Sequence, residues 1–435
     1  MMSSIPYFIL AILFRVILEF SYVLVVTDVF GYAGYEINFE LVEYCFSWGL
    51  YLFCILFSNS EIKKVSDYFF ATFLFGLICP ASIMYGYDLN RPLSPILTLV
   101  FSMSLVYLIV NLKAIRLKPL PLVKGGDKVV ICMSLIFVLF LAIWYPAVGV
   151  TFNLNMERVY EFRRDNASLA NVGILAYVNN WVFQIFNITL LVICLFYRRY
   201  FLVLCVLIIQ VYFFAASAHK SVLFYPFLVF GIWYYYRHSN SAMIIPLVFS
   251  LVVLATLVSF ILFEDILMTS LFSRRVFFVP ARLTYDYFEF FTLNEPLYWS
   301  NSILKHWVTN PYNEAVGYVI GQYLGKENLN ANNGYISMGF AHAGYFGVAI
   351  YVMLSAVLLR FLDSMTKASI PLWVALALTV VPIRSFLIST DILTTLLTHG
   401  LVIVLIVLYL LRGRMKQGGS ISARGLHRFR RSIRN

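Results

Sequence analysis

The apolar positions along the chain come in long uninterrupted runs, neither alternating nor striped along one face. Most runs reach the ~18–20 residues that a helix needs to cross the hydrocarbon core of a bilayer. The spacing predicts about twelve spans, at 5–27, 40–58, 68–86, 94–112, 129–150, 172–197, 200–217, 221–237, 242–263, 337–361, 370–389 and 392–411. Inside lipid every backbone N–H and C=O needs a partner within its own segment or close by, so runs of this length become helices. Strands of a membrane barrel would be about ten residues long with period-two alternation, and that pattern is not present. The expected fold class is therefore all-α: a polytopic integral membrane protein in which residues 1–435 form one membrane domain.

Two polar stretches, 151–171 and 264–336, are too long to be simple connectors, and loops of that size usually carry function or are disordered. Both are rich in Tyr, Phe and Trp, which argues against disorder. In the second, Pro280 suits the first turn of a helix. The residues after it, in PARLTYDYFEFF, are expected to lie amphipathically at the membrane interface.

Composition supports the membrane reading. The 435 residues are 61% hydrophobic and 12% charged, whereas a soluble domain carries roughly a quarter charged residues. The 30 Tyr and 40 Phe include many near the ends of runs, and amphipathic rings such as Tyr favour the headgroup zone. With the N-terminus placed in the cytoplasm, the inside connections hold roughly 20 Lys and Arg and the outside segments about 10. Both termini are thus expected inside. The basic tail, 412–435, is read as a cytoplasmic segment attracted to anionic lipid. The net charge of +11 is assigned to membrane lipids, with no nucleic-acid partner. The six cysteines fall inside or at the ends of apolar runs, without CxxC, and read as small buried hydrophobes. The N-terminus lacks a basic n-region and a small-residue cleavage site and reads as the first span.

Nucleotide and metal chemistry have no sequence support. GxxxxGK[ST], GxGxxG after a strand, HExxH and a DxD pair are all missing, and the scattered histidines predict no structural metal. No cofactor is expected. What remains is a set of cations kept on the outer side against the positive-inside tendency: Arg163 and Arg164 in the first long loop, Arg274, Arg275 and Arg282 in the second, and Lys220 at a short turn. Guanidinium groups bind phosphate oxygens through forked, paired hydrogen bonds, so these six are the candidate diphosphate-binding residues. Each also has a plainer reading. Arg282 and Asp286 stand four apart and can pair with each other, while Arg163 and Arg164 can answer Glu157 and Glu161 or touch lipid phosphate. His342, just inside an apolar run, fits a structural hydrogen-bonding role as well as a catalytic one. Glu264, Asp265, Asp286 and Glu289 are possible general bases. The glycines 334, 339, 344 and 347 suit close helix packing.

Three segments carry a resemblance. They are SAHKSVLFYPFLVF, SRRVFFVPARLTYDYFEFF and NANNGYISMGFAHAGYFGVAIYVMLSAVLLRFLD. Their order and spacing resemble the Wzy-type O-antigen polymerases (oligosaccharide repeat-unit polymerases), over roughly residues 150–365. The resemblance implies a membrane-embedded, metal-independent glycosyltransferase of GT-C type in the bacterial inner membrane, with a long, partly helical periplasmic loop. Its substrates would be undecaprenyl-diphosphate-linked glycans, polymerised on the periplasmic side with a lipid diphosphate as leaving group. With such substrates, the candidate bases for the acceptor hydroxyl are His342, Asp286 and Glu289, and Tyr285 and Asn333 are candidate sugar-binding residues. A chain-length regulator is a further candidate partner. An O-antigen ligase and a flippase or exporter of lipid-linked oligosaccharide are the alternative readings.

Overall fold

The computed structural model describes residues 4–112, 121–155, 162, 166, 168–302, 304–367 and 369–412. It is all-helical, with no named strand among these residues. Eight helices are long and apolar enough to cross a membrane: Ser4–Ala33, Val65–Tyr87, Leu93–Asn111, Gly126–Ala147, Leu175–Phe196, Tyr200–Ser217, Ile244–Phe263 and Tyr335–Thr366. Leu41–Ile55, Leu372–Ile388 and Leu401–Arg412 are shorter apolar helices. Lys220–Tyr236 is also helical, so every expected span falls on helix. The last expected span is divided, since Ile392–Leu397 and Leu401–Arg412 are separate. The outer surface fits a lipid environment. On Gly126–Ala147, Ile136, Leu139, Phe140 and Ile143 are exposed at helical spacing, an apolar stripe that lipid accommodates and water does not.

The chain forms two compact units. The first comprises Met1–Arg116, Ser241–Arg360 and Arg384–Leu393; the second comprises Leu117–Asn240, Phe361–Ile383 and Thr394–Asn435.

In the first unit the deepest helix is Val65–Tyr87, with 89% of its most apolar window buried. The unit also buries a charge. Arg15 is fully enclosed and pairs with Glu19 at 2.9 Å, and its remaining nitrogens reach the Ser47 carbonyl, Ser47 Oγ and Ser82 Oγ. An ion at this depth persists only when paired and hydrogen-bonded, and Arg15 meets both conditions.

The stretch 264–336 is more ordered than a loop. Asp265 caps Ile266–Met268 by accepting from the Met268 N–H at 3.1 Å. The chain continues as a π-wound segment, Thr269–Phe278, and then as the helix Val279–Leu293 with Pro280 in its first turn. The helix packs into the unit: Pro280, Ala281, Leu283, Thr284, Tyr285, Asp286, Tyr287, Phe288 and Phe291 are all buried, and several polar groups there are bonded to distant segments. The Tyr285 hydroxyl donates to Ala81 O (2.8 Å) and the Tyr287 hydroxyl to Ala331 O (3.0 Å). The Asn333 amide reaches Pro280 O, Thr284 Oγ1 and Ser337 Oγ.

The helix Tyr335–Thr366 is broken just past His342, at Ala343 and Gly344. Gly344 adopts φ +57°, a region that a side chain disfavours. The glycines around it pack as expected. Gly339 and Gly347 approach each other across the break, and Gly334 lies against the backbone of Leu387 and Ile388.

Candidate functional site

A ring of cations forms around the short segment that follows the first long helix. Gly31–Ala33 makes one tight 3₁₀ turn, and Gly34 closes it at φ +78°. The chain then pairs with the connection after Val65–Tyr87: Asn38 N–H donates to Tyr87 O (2.8 Å) and Leu89 N–H to Asn38 O (3.0 Å). This clamp fixes Asp88 and Arg91. Asp88 accepts from the Asn90 N–H and, at 3.0 Å, from Arg91 Nε, while Arg91 Nη2 donates to Gly34 O.

Four cations meet this turn. The Arg274 guanidinium carbon lies 4.3 Å from the Phe30 ring centre, and that of Arg282 lies 5.5 Å from the Tyr35 ring centre. Arg91 holds the Gly34 carbonyl, and Lys326 Nζ lies 5.8 Å from the Tyr32 ring centre. Aromatic faces attract such cations without neutralising them. Their hydrogen-bond capacity is not used up. The buried Nε atoms of Arg274 and Arg282 have no hydrogen-bond partner, and neither does Asp286 Oδ2. Asp286 sits 3.5 Å from Arg282 Nε, an ion pair without hydrogen-bond alignment. A buried donor left unpaired is costly, and two on adjacent arginines suit an anion with several oxygens.

Burial raises the Asp286 carboxyl from the usual 3.8 to about 6, although Arg282 and Arg91 pull the other way. The Tyr35 phenol is likewise pushed up to about 12 by burial, against the pull of Arg282 and Arg274. It stays a neutral hydroxyl beside the cations.

Gly34 is required twice over. A Cβ there would stand 3.0 Å from Arg282 Nη2, and a left-handed backbone costs an L-residue about 1–2 kcal/mol. Gly34→Ala is expected to lower the thermal midpoint modestly and to displace Arg282, so that anion binding falls by more than the stability loss explains. Thermal melts and titration with inorganic diphosphate measure the two effects separately. Equal binding in the two proteins would show that the contact has no bearing on the site.

The expected residues separate. Arg274, Arg282 and Asp286 come together. Arg275 is exposed and stands outside the ring of contacts just described. Glu289 is exposed and hydrogen-bonded to Tyr323. Tyr285 and Asn333 are buried, with the backbone and hydroxyl bonds given above. Those bonds hold the two side chains in the packed interior. Lys220 opens the helix Lys220–Tyr236 in the second unit. Arg163 and Arg164 lie outside the described residues, as do Glu157 and Glu161. Arg91 and Lys326 were not among the expected residues. Their sequence signal is faint: Asp88-x-x-Arg91 in a short connection, and a Lys beside Gly325 in a long one.

His342 belongs to a second polar cluster. Its Nδ1 accepts from the Trp299 backbone N–H (3.2 Å), so in the neutral ring Nε2 carries the proton, donated to Asp391 Oδ2 at 2.8 Å. The Tyr351 hydroxyl donates to the same Asp391 oxygen (2.8 Å) and accepts from the Trp299 indole N–H (3.0 Å). The Trp299 and His342 rings stack with centres 5.0 Å apart. The break in Tyr335–Thr366 frees two carbonyls, and the 297–299 turn takes them up. Leu297 N–H donates to Ala341 O and Tyr298 N–H to His342 O, both at 2.9 Å. Tyr298 and Trp299 hold positive φ to do so, a strain that persists where the surroundings over-determine it. His342 is fully buried with both nitrogens engaged, which equips it to hold this corner together.

Asp391→Ala would take the acceptor from the buried His342 and Tyr351 donors and from the Leu393 N–H, at about 1–3 kcal/mol for each buried donor left unpaired. A drop in thermal midpoint is expected, smaller for Tyr351→Phe. The double variant should fall short of the sum, because both changes act on one network. Strict additivity in melting experiments would show that the two residues do not act together.

Among the described residues no group of three or more His, Cys, Asp or Glu side chains is placed to hold a metal ion. No family model, curated protein or solved structure matches this chain.

Proposed function

We propose that the protein is a membrane-embedded glycosyltransferase that polymerises undecaprenyl-diphosphate-linked oligosaccharide repeat units. The observation that carries this reading is the convergence of Arg91, Arg274 and Arg282, two of them with unpartnered buried Nε atoms. A diphosphate leaving group gathers negative charge as its bond to the sugar breaks, and preorganised donors in a water-poor site stabilise that charge. The donor arrives already activated, so the reaction needs no nucleotide apparatus.

In this mechanism the acceptor hydroxyl attacks the anomeric carbon of the donor glycan. A bond forms from C1 to the acceptor oxygen, and the bond from C1 to the phosphate oxygen breaks with its electron pair going to the diphosphate. Arg274 and Arg282 receive the diphosphate oxygens. Arg91 holds the Gly34 turn in place and adds positive charge. Asp286 takes the acceptor proton: it sits beside Arg282, and burial sets its carboxyl near the pH at which a base is effective. The His342–Asp391–Tyr351–Trp299 network positions the broken helix and the 297–299 turn.

With this function go twelve crossings, a GT-C-type architecture, a bacterial inner-membrane location, cytoplasmic termini and a periplasmic site. The resemblance of three segments to the Wzy-type polymerases and the Lys/Arg asymmetry support this reading.

The test uses full-length protein in nanodiscs with undecaprenyl-diphosphate-linked repeat units, a chelator and no nucleotide. A ladder of lengthening lipid-linked glycans is the expected result. Transfer only to a lipid A core acceptor would make the protein a ligase. Transbilayer movement of the lipid-linked unit without new glycosidic bonds would make it a transporter.

A further inference from the structure

The second unit holds a cavity of about 530 Å³, within the roughly 300–1,000 Å³ range of small-molecule sites. Its described lining contains no Lys, Arg, Asp or Glu side chain. The polar character comes mainly from four carboxamides, Asn166, Asn171, Asn179 and Asn180, with Ser217, His219 and Thr398 also on the lining beside the rings of Tyr177 and Phe183. An apolar chain rarely gathers four amides at one place without a task, because each needs partners when water is withdrawn.

The four amides divide into two kinds. Asn166 and Asn179 are buried pins. Asn166 Oδ1 accepts from the Thr151 N–H (3.1 Å) and Oγ1 (3.0 Å), and its Nδ2 donates to Thr151 O (2.7 Å) and Ala216 O (2.8 Å). Asn179 Nδ2 donates to Ala170 O (3.2 Å) and to Asn171 Oδ1. Asn171 and Asn180 form the accessible part. Asn171 is exposed and is held in place through its oxygen, so its own amide N–H groups point away from that bond. Asn180 is half-buried, anchored by an Nδ2 bond to Ala176 O (3.1 Å) and by a long bond that its carbonyl oxygen accepts from Gln184 Nε2 (3.5 Å), and it borders the cavity. Tyr177 is 40% exposed and adds a ring face and a hydroxyl. The result is a rigid floor under a rim of neutral donors and acceptors with aromatic sides.

This lining suits a neutral ligand better than an anion. A phosphate or carboxylate entering it would lose water and find no described Lys or Arg in return, only the imidazole of His219. A sugar ring fits the opposite description: its hydroxyls donate and accept as carboxamides do, and its C–H faces lie well on aromatic rings. We propose that this cavity is a binding site for an uncharged saccharide, taking a neutral hexose, deoxyhexose or N-acetylhexosamine residue. The site is formed within the second unit and is separate in composition from the arginine ring, so it goes beyond the proposed reaction and does not depend on it.

The experiment is saturation-transfer difference NMR on full-length protein in nanodiscs. The probes are D-glucose, D-galactose, L-rhamnose and N-acetyl-D-glucosamine, with D-glucuronate and D-glucose 6-phosphate as charged comparators. Saturation transfer is expected to at least one neutral sugar in the millimolar range, and to neither anion at this site. Asn171→Ala and Tyr177→Ala alter exposed side chains and should leave the fold intact, and each is expected to weaken the signal's apparent affinity about five- to tenfold. Arg282→Ala should leave sugar binding unchanged, and a wild-type protein that forms no polymer yet still binds sugar refutes the catalytic reading alone. If none of the four neutral sugars binds, or if binding is the same in both rim variants, the cavity is a water-filled packing defect and the proposal is overturned. A glucuronate signal that exceeds the neutral ones and is lost in the rim variants overturns it equally.

Discussion

Arg282→Ala is expected to reduce polymer formation about 10²–10³-fold, the usual loss when one preorganised donor to a developing anion is removed. Three features single out this residue. Its Nε is buried without a hydrogen-bond partner, its guanidinium packs over Tyr35, and it closes on the Gly34 turn, where even a methyl group would touch it. Arg282→Lys should recover little, because a single ammonium cannot reproduce the planar fork. Arg274→Ala should act in the same direction, and the double variant should approach the uncatalysed background. Arg275→Ala, at an exposed position, should change the rate by only a few-fold, through long-range charge. The measurement is the initial rate of ladder formation at matched protein levels, with kcat and KM separated. If Arg275→Ala proves as damaging as Arg282→Ala while Arg274→Ala is silent, the diphosphate does not bind where the arginines converge.

Asp286→Asn is expected to cost about 10²–10⁴ in rate, the range for a lost general base, and to remove a specific pH dependence. In the folded protein this carboxyl ionises near pH 6 because burial disfavours its charge. Only the ionised form accepts a proton, so the rate should climb through about pH 6 and level off above it. Stability runs the other way. A folded-state value above the ordinary 3.8 means that the folded form holds the proton more tightly than the unfolded chain does. The stabilisation from this group is complete below the ordinary value and is lost as pH rises through about 6. Across this window Asp286 should make the protein more active and less stable at once, so an acid loss of rate caused by this group is not unfolding. Paired rate and melting profiles from about pH 5 to 7.5 test this. A wild-type rate with no inflection near 6, or one that persists in Asp286→Asn, would remove Asp286 from the chemistry. The carboxylate would then serve only to orient Arg282.

Much of the architecture was legible in the linear pattern. Long apolar runs fall on helix because lipid leaves backbone groups no external partner, and that constraint is local to each segment. The arginines were legible for a related reason: in a chain with so few charges, each cation stands out. The pattern says less about how one helix packs. Val279–Leu293 reads as amphipathic, and Tyr285, Tyr287 and Asn333 tie it into the unit's interior through bonds to Ala81, Ala331 and Pro280. Polar atoms look solvent-facing in sequence until their distant acceptors are known.

What the sequence determined by itself was therefore which segments are helical, which surfaces suit lipid, and which few residue types could bind an anion. Only the tertiary structure decided which of those residues act together. It joined Arg91 to Arg282 through the Gly34 turn, and His342 to Asp391 through the break at Ala343 and Gly344. Helix periodicity depends on neighbours three and four residues apart, whereas these pairings depend on which segments pack side by side. An isolated arginine has the same sequence signature whether it caps a helix, pairs with a carboxylate or waits for a phosphate. The burial of its guanidinium and the partners it lacks separate those roles, and both arise only when the chain has folded.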